Sequence, residues 1–202
     1  MTINEAGSRQ RGPYAKTAER RRAIIAAAHT VFAAQGYRGG SLQDVANLVG
    51  MSQTSLLYYF PSKSDLLLGV LNWRDSITGD GSVPRDPDEE FVDSVIRQAR
   101  HNENFPGVVE LYTVLCAESL TDAHPGRDFF VRRFERLRES YTRKFAELEQ
   151  TGRLRTGVDP ARAAASLVAL WDGIQTQWLL DRDSVDVAQS LQDYFDLVIE
   201  PE

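Results

Sequence analysis

The sequence has one cysteine in 202 residues, Cys116. An intrachain disulfide is therefore excluded, and a reducing compartment such as the cytoplasm suits the chain. No run of 18 apolar residues occurs, so neither a membrane-spanning helix nor a membrane partner is expected. The opening stretch MTINEAGSRQRGPYAK lacks the apolar segment of a secretory signal. The three histidines, His29, His101 and His124, are scattered, and with one cysteine they give no zinc-ligand spacing. No metal and no cofactor is expected. Also missing are G-x-S-x-G, H-E-x-x-H and a phosphate loop. Cys116 with His101 or His124 is the one nucleophile and base pairing on offer, and a buried core thiol accounts for Cys116 more simply. The chain is read as a non-enzyme. Strand-period alternation, internal repeats and low-complexity blocks are absent as well, which leaves an all-α fold of about nine helices.

Acidic residues are scarce in the first 64 residues, and the balance reverses after them. Residues 1–64 carry eight Lys/Arg against three Asp/Glu, a net of +5, while the remainder carries 15 against 26, a net of −11. The overall −6 thus conceals a basic head on an acidic body, and a head of that kind is the part suited to a polyanion. Residues 1–16 mix Gly, Ser, Arg and Pro without periodicity and read as a basic arm or a disordered leader.

What is present is concentrated in residues 41–67, SLQDVANLVGMSQTSLLYYFPSKSDLL. Ser41 with Asp44 three residues on is a capping-box pattern, and Leu42, Val45, Ala46 and Val49 follow at helical spacing. Gly50 stands where a helix end favours a left-handed residue. Ser52 caps a second short helix carrying Leu56, Tyr58, Tyr59 and Phe60, which Pro61 stops. Ser62 and Asp65 form another capping box at the head of an apolar helix. Two short helices joined by a Gly-containing turn are the helix-turn-helix pattern.

The run M-S-Q-T-S-L-L-Y-Y-F-P-S-K-S-D-L-L resembles the recognition helix and following helix of TetR-type transcriptional regulators. Upstream, A-A-A-H-T-V-F-A-A-Q-G-Y-R-G-G-S-L-Q-D-V-A resembles the first two helices of that family. The resemblance spans about residues 17 to 75. Thr54 stands where the family usually has Gly, and Leu57 where it usually has Tyr, which leaves Tyr58 to make the aromatic contact. It implies a basic arm (1–16), a DNA-binding head (17–61), and a ligand-binding and dimerisation domain (62–202) whose first helix (62–77) connects the two. On the head, Thr17, Ser41 and Lys63 stand at helix N-termini suited to phosphates. Ser52, Gln53, Thr54 and Ser55 open the recognition helix, where side chains reach base edges in the major groove, and Tyr58 reaches the backbone. The partner implied is double-stranded, near-palindromic operator DNA.

The rest of the chain reads as helices throughout. Residues 79–88, GDGSVPRDPD, form a loop. A fifth helix follows, capped by Asp86, then a sixth from Phe105 to Leu120 and a long charged helix from Asp128 to Gln150. Asp159 and Pro160 open an Ala-rich helix to about Leu180, and a last helix runs from Ser184 to about Ile199. The stretch A-L-W-D-G-I-Q-T-Q-W-L-L-D resembles the C-terminal domain of the betaine-regulator branch. In such proteins the last two helices make a homodimer, which places Ala165, Trp171, Leu191, Phe195 and Val198 at an interface. A pocket among helices five to eight is likewise implied, lined by Phe91, Phe105, Tyr112, Cys116, Trp171, Gln175 and Trp178, for a largely apolar effector. The same aromatics also fit plain core packing. The function implied is that of a ligand-responsive, dimeric, DNA-binding repressor. An effector-blind DNA-binding or scaffold protein is the alternative, and an enzyme using the C-terminal cavity is a further one.

Overall fold

Gly50 adopts φ 69°, ψ 43°, and its amide returns to the carbonyls of Ala46 and Asn47, closing one helix and turning the chain into the next. Around this turn the computed structural model, which describes residues 13–78 and 89–201, builds the head from three helices. These are α1 (Pro13–Gly39), α2 (Leu42–Val49) and α3 (Gln53–Tyr59). The Ser41 hydroxyl accepts from the Asp44 amide at 3.0 Å while the Asp44 carboxylate accepts from the Ser41 amide at 3.0 Å, so the capping box is formed. Ser52 caps α3 by accepting from the Ser55 amide at 3.1 Å, a cap of a kind that contributes about 1 kcal/mol.

Six further helices complete the described residues: α4 (Lys63–Thr78), α5 (Phe91–Glu103), α6 (Pro106–Glu118), α7 (Arg127–Gln150), α8 (Pro160–Leu180) and α9 (Val187–Val198). The loop expected over 79–88, with its Asp86 cap, lies outside the described residues; Glu90 precedes α5 in extended conformation. The Asp159 carboxylate caps α8 by accepting from the Arg162 amide at 2.8 Å, as the Asp-Pro opening indicates, and α9, capped by Asp186, starts at Val187 rather than at Ser184. A lone antiparallel bridge, Leu154 with Ile199, ties the α7–α8 connection to the end of α9.

The first helix departs from the expected bounds. It begins at Pro13, so Thr17 lies in its second turn and does not cap it. Arg20, Arg21 and Arg22 are accordingly well inside the helix, where the opposing field of its N-terminus has faded. At the other end Gly36 breaks the helical geometry with φ 69°, ψ 174°, and helix resumes to Gly39.

Two apolar cores result. One joins α5, α7, α8 and α9 through Phe91, Phe145, Leu167 and Phe195. The other begins in the head with Ile24, Phe32, Val45 and Leu56, and continues without interruption into α4, into Leu111, Tyr112 and Leu115 of α6, and into Phe129 and Phe130 of α7. Phe134 packs against both. The head is therefore built onto the body through α1 lying along α6 and α4. Among the described residues no helix is long and apolar enough to cross a membrane.

Candidate DNA-binding surface and effector cavity

Ser52, Gln53, Thr54 and Ser55 all present exposed side chains along one end of α3, and Tyr58 is 83% exposed one turn further on. Leu56 and Phe60, between and beyond them, are buried and fix the helix to the head core. The Ser52 and Ser55 hydroxyls lie 2.8 Å apart, so they share a hydrogen bond within the protein. Beside the end of α3 an open groove is lined by Lys16, Thr17, Glu19, Arg20, Ala23 and Tyr59. Thr17, inside α1, thus lies beside the Tyr59 end of α3. Ser41 is half-buried and committed to its capping box.

Two basic residues of the head are used internally. The Lys63 ammonium lies 4.6 Å from the Tyr37 ring centre and donates to the Arg38 carbonyl at 3.3 Å, and desolvation lowers its pKa. Arg21 stacks on Phe60 at 4.2 Å and donates to the Tyr59 carbonyl, fastening α1 to the C-terminal end of α3. Of the run Arg20–Arg22, then, one guanidinium holds the recognition helix in place.

Within the body a cavity of about 40 Å³ opens between five helices. Its walls are Arg74 of α4, Gln98 and Asn102 of α5, Tyr112 of α6, Arg133, Leu137 and Tyr141 of α7, and Val168, Trp171 and Asp172 of α8. Two of the residues expected at the pocket, Tyr112 and Trp171, are there. Phe91 instead packs on Tyr141, Phe145 and Phe195, and Phe105 stacks on His101. Cys116 is half-buried behind the cavity, its thiol pushed up to about 11 by burial, a shift opposed to nucleophilic use. Gln175 and Trp178 are buried along α8 without lining the cavity, and Arg182 lies over the Trp178 ring at 4.8 Å.

Charged groups stand among the apolar and aromatic walls of the cavity. Arg74 is 3% and Arg133 5% exposed, and the Nη1 atoms of both lie 2.9 Å from the same oxygen, Asp75 Oδ1. Both guanidiniums also lie against the Tyr112 ring, at 4.1 and 5.2 Å from its centre. Burial, and then repulsion from Arg133, lower the Arg74 pKa. Across the cavity, burial raises the Asp172 carboxyl to about 6, against the pull of Arg133 and Arg74. A sequence signal existed for each. Arg133 stands three residues after Phe130 and four before Leu137, on the apolar stripe of α7, and Asp172 stands four after Val168. Arg74 is likewise four after Val70. A charge in the register of a buried stripe needs a buried partner.

The faces of the last two helices also differ from expectation. Leu191 and Phe195 are 0% and 1% exposed inside the protomer's own core, so they offer no surface to a second chain. Trp171 and Val198 are half-buried, and Ala165 is exposed. The outward face of α8 carries Ala161, Ala165, Ala169 and Gly173 at steps of four, ending at Leu180, 85% exposed.

A helix-turn-helix head joined through a helix to a body with a cavity has counterparts among known transcriptional regulators. Residues 24–70 match the bacterial regulatory proteins of the tetR family, and residues 91–198, more than half of the chain, match the BetI-type transcriptional repressor C-terminal family. The chain belongs to the TetR family of transcriptional regulators, with a BetI-type C-terminal region. It is 42% identical over 69 residues to the HTH-type transcriptional regulator RutR of Escherichia coli, a match covering 34% of this chain and 31% of RutR. It is 26% identical to the HTH-type transcriptional regulator TtgR of Pseudomonas putida, over 88% of this chain and 89% of that protein. The solved structure of NalD, the secondary repressor of the MexAB-OprM multidrug efflux pump in Pseudomonas aeruginosa, superposes with a TM-score of 0.75 at 21% identity, covering 93% of this chain and 99% of that one.

Proposed function

We propose that the protein is an effector-controlled repressor that binds a near-palindromic operator as a homodimer and releases it when a small molecule enters the cavity between α4 and α8. The observation that carries this reading is the course of α4. It starts at Lys63, packed on the end of α1, and delivers Arg74 into the cavity wall. Eleven residues at 1.5 Å each make a rod of about 16 Å between the two sites. Tyr112 gives a second path, since it belongs to the core shared with the head and also lines the cavity.

On DNA, the exposed Gln53 and Thr54 enter the major groove of each half-site, with Tyr58 and the Thr17 groove on the flanking phosphates. Two-fold symmetry requires the two α3 helices to stand about 34–36 Å apart, or a multiple of that, along the duplex. A ligand releases DNA to the extent that it binds the DNA-free arrangement more tightly; equal affinity shifts nothing. The coupling is reciprocal, so operator DNA must weaken the ligand by the factor by which the ligand weakens DNA, about 5- to 150-fold for an ordinary coupling of 1–3 kcal/mol.

The test is a footprint on the DNA upstream of the protein's own gene, repeated with candidate effectors, followed by titration of each effector with and without operator. Two affinities equal within error would favour an effector-blind DNA-binding protein. Replacing Gln53 by Ala should alter the sequences recovered from a random pool; an unchanged selection would remove Gln53 as a base reader.

A further inference from the structure

The effector reading leaves the chemistry of the ligand open, and the cavity walls narrow it. Two guanidiniums, both more than nine-tenths buried, converge there on one carboxylate oxygen and one aromatic face. Guanidinium stays protonated in proteins, so these are fixed positive charges in a poorly solvated site. Such charges are stable where anions meet them. The Gln98 and Asn102 side chains stand on the α5 side of the same space, and Leu137, Val168 and Trp171 supply an apolar wall.

We propose that the ligand of this cavity is a small organic anion, a carboxylate on a short apolar body, whose oxygens are taken by Arg74 and Arg133 with the α5 amides while its body lies against Trp171 and Val168. Arg presents paired N–H donors that match a carboxylate, and charge-assisted bonds of this kind are about twice as strong as neutral ones. The size follows from the space. A water needs about 10–15 Å³ of such volume, so the cavity of about 40 Å³ admits about three water-sized positions, and a short acid fits better than a polycyclic one.

Asp172 sets the condition for binding. The groups around it from the packed helices are Arg74 of α4, Gln98 and Asn102 of α5, Tyr112 and Cys116 of α6, and Arg133 and Tyr141 of α7, with Asp75 of α4 bound to both guanidiniums. The tyrosine and thiol groups are neutral near pH 7, since burial raises Tyr112, Tyr141 and Cys116. With Asp172 ionised, two carboxylates balance two guanidiniums. When Asp172 takes a proton, one positive charge is released for an incoming anion. Anion binding is thereby linked to proton uptake, and it strengthens as pH falls through about 6.

The experiment uses the full chain and three probes of similar shape, propionate, propionamide and propylammonium, followed by the intrinsic fluorescence of its three tryptophans, of which Trp171 lines the cavity, and by calorimetry. Propionate should bind at least tenfold more tightly than propionamide, and propylammonium should be weakest. The affinity for propionate should rise as pH falls from 7.5 to 5.5. Asp172→Asn, which is isosteric, should raise propionate affinity at pH 7.5 by about 30-fold, the factor expected when a group of pKa about 6 must be protonated first, and should flatten the pH dependence. Binding of the amide or the ammonium as tight as that of propionate, no binding of any of the three, or an unchanged affinity in a folded Asp172→Asn protein would each overturn the proposal. The inference rests on the cavity being the effector site, and operator release measured in parallel separates the two. Selective propionate binding that leaves operator affinity unchanged keeps the anion site and removes the effector role. Release by a neutral or cationic compound that displaces nothing anionic keeps the effector role and removes the anion site.

Discussion

The Glu118 carboxylate, at the end of α6, accepts a hydrogen bond of 2.7 Å from the Tyr37 backbone amide in α1. The amide is available because Gly36, immediately before it, leaves helical geometry at φ 69°. Only glycine suits that position. A Cβ there would stand 2.5 Å from Glu118 Oε1, and the positive φ disfavours any side chain. Tyr37 is in turn packed under Lys63 and within 3.2 Å of the Ser64 hydroxyl, so the junction of α1 and α4 is fastened to the end of α6.

That fastening predicts a coupling defect. Glu118→Ala leaves a half-buried amide without its acceptor, which costs about 1–3 kcal/mol of stability. Glu118 does not line the cavity, so effector affinity in the absence of DNA should stay within about twofold, while the factor by which effector weakens operator binding falls toward one. Anisotropy titrations with and without effector read both. A variant with full coupling would show that α4 alone carries the signal. Gly36→Ala should destabilise the protein as well, and part of that cost should be relieved in the double variant because the Glu118 clash is gone while the φ strain remains.

Arg21→Ala should separate support of α3 from contact with DNA. The guanidinium holds the Phe60 ring and the Tyr59 carbonyl, so its loss should cost about 1–2 kcal/mol in denaturant unfolding. Operator affinity should fall through misplacement of α3, with the slope of log affinity against log salt unchanged. A slope reduced by about 0.9 would instead make Arg21 a phosphate contact.

How far these features were legible depends on what fixes them. The bounds of α2, α3 and α8 follow from local chemistry, namely the Ser41–Asp44 box, the Ser52 cap and the Asp159–Pro160 opening, and local chemistry is written in adjacent residues. The apolar stripe of α9 was equally legible, yet Leu191 and Phe195 face Phe91 and Phe145 of the same chain. Period alone does not say whether a stripe is covered by its own protomer or by another. The cavity was the least legible part, because Arg74, Asp75, Arg133 and Asp172 come from three helices distant in sequence and meet only after packing. Lys63 was placed correctly at a helix start, but its ammonium is drawn to the Arg38 carbonyl, a neighbour supplied by the end of α1.

The raised pKa of Asp172 also makes a statement about stability. A carboxyl ordinarily near 3.8 that titrates at about 6 in the folded chain binds its proton more tightly there than when unfolded. Its ionisation therefore opposes folding. The penalty is absent below about pH 4, grows between there and pH 6, and is constant above. Asp172→Asn should raise the unfolding free energy at pH 7.5 by about 1–3 kcal/mol and leave it nearly unchanged at pH 4. Urea unfolding at the two pH values checks the difference. A variant less stable at pH 7.5 would mean that the Asp172 charge is needed to hold Arg74 and Arg133.

The two candidate interface positions on α8 and α9 are expected to fail in different ways. Leu191 has no exposed surface and sits in the core formed with α5 and α8, so Leu191→Glu places a charge where no water reaches. The loss should exceed about 4 kcal/mol and appear as an unfolded or aggregated chain, giving no information about association. Ala165 lies on the outward face of α8 with Ala161, Ala169 and Gly173, a surface on which a second α8 can approach closely. Ala165→Glu places like charges against each other across a two-fold axis, which repel without disturbing the protomer. The variant should keep its helical circular dichroism and its unfolding midpoint at low concentration, sediment as a monomer, and lose most of its affinity for a two-half-site operator. Its affinity for a single half-site should be that of one head. An Ala165→Glu protein that still sediments as a dimer would move the contact off this face of α8, leaving Leu180 and the exposed Leu197 of α9, 85% and 73% exposed, as the next positions to charge.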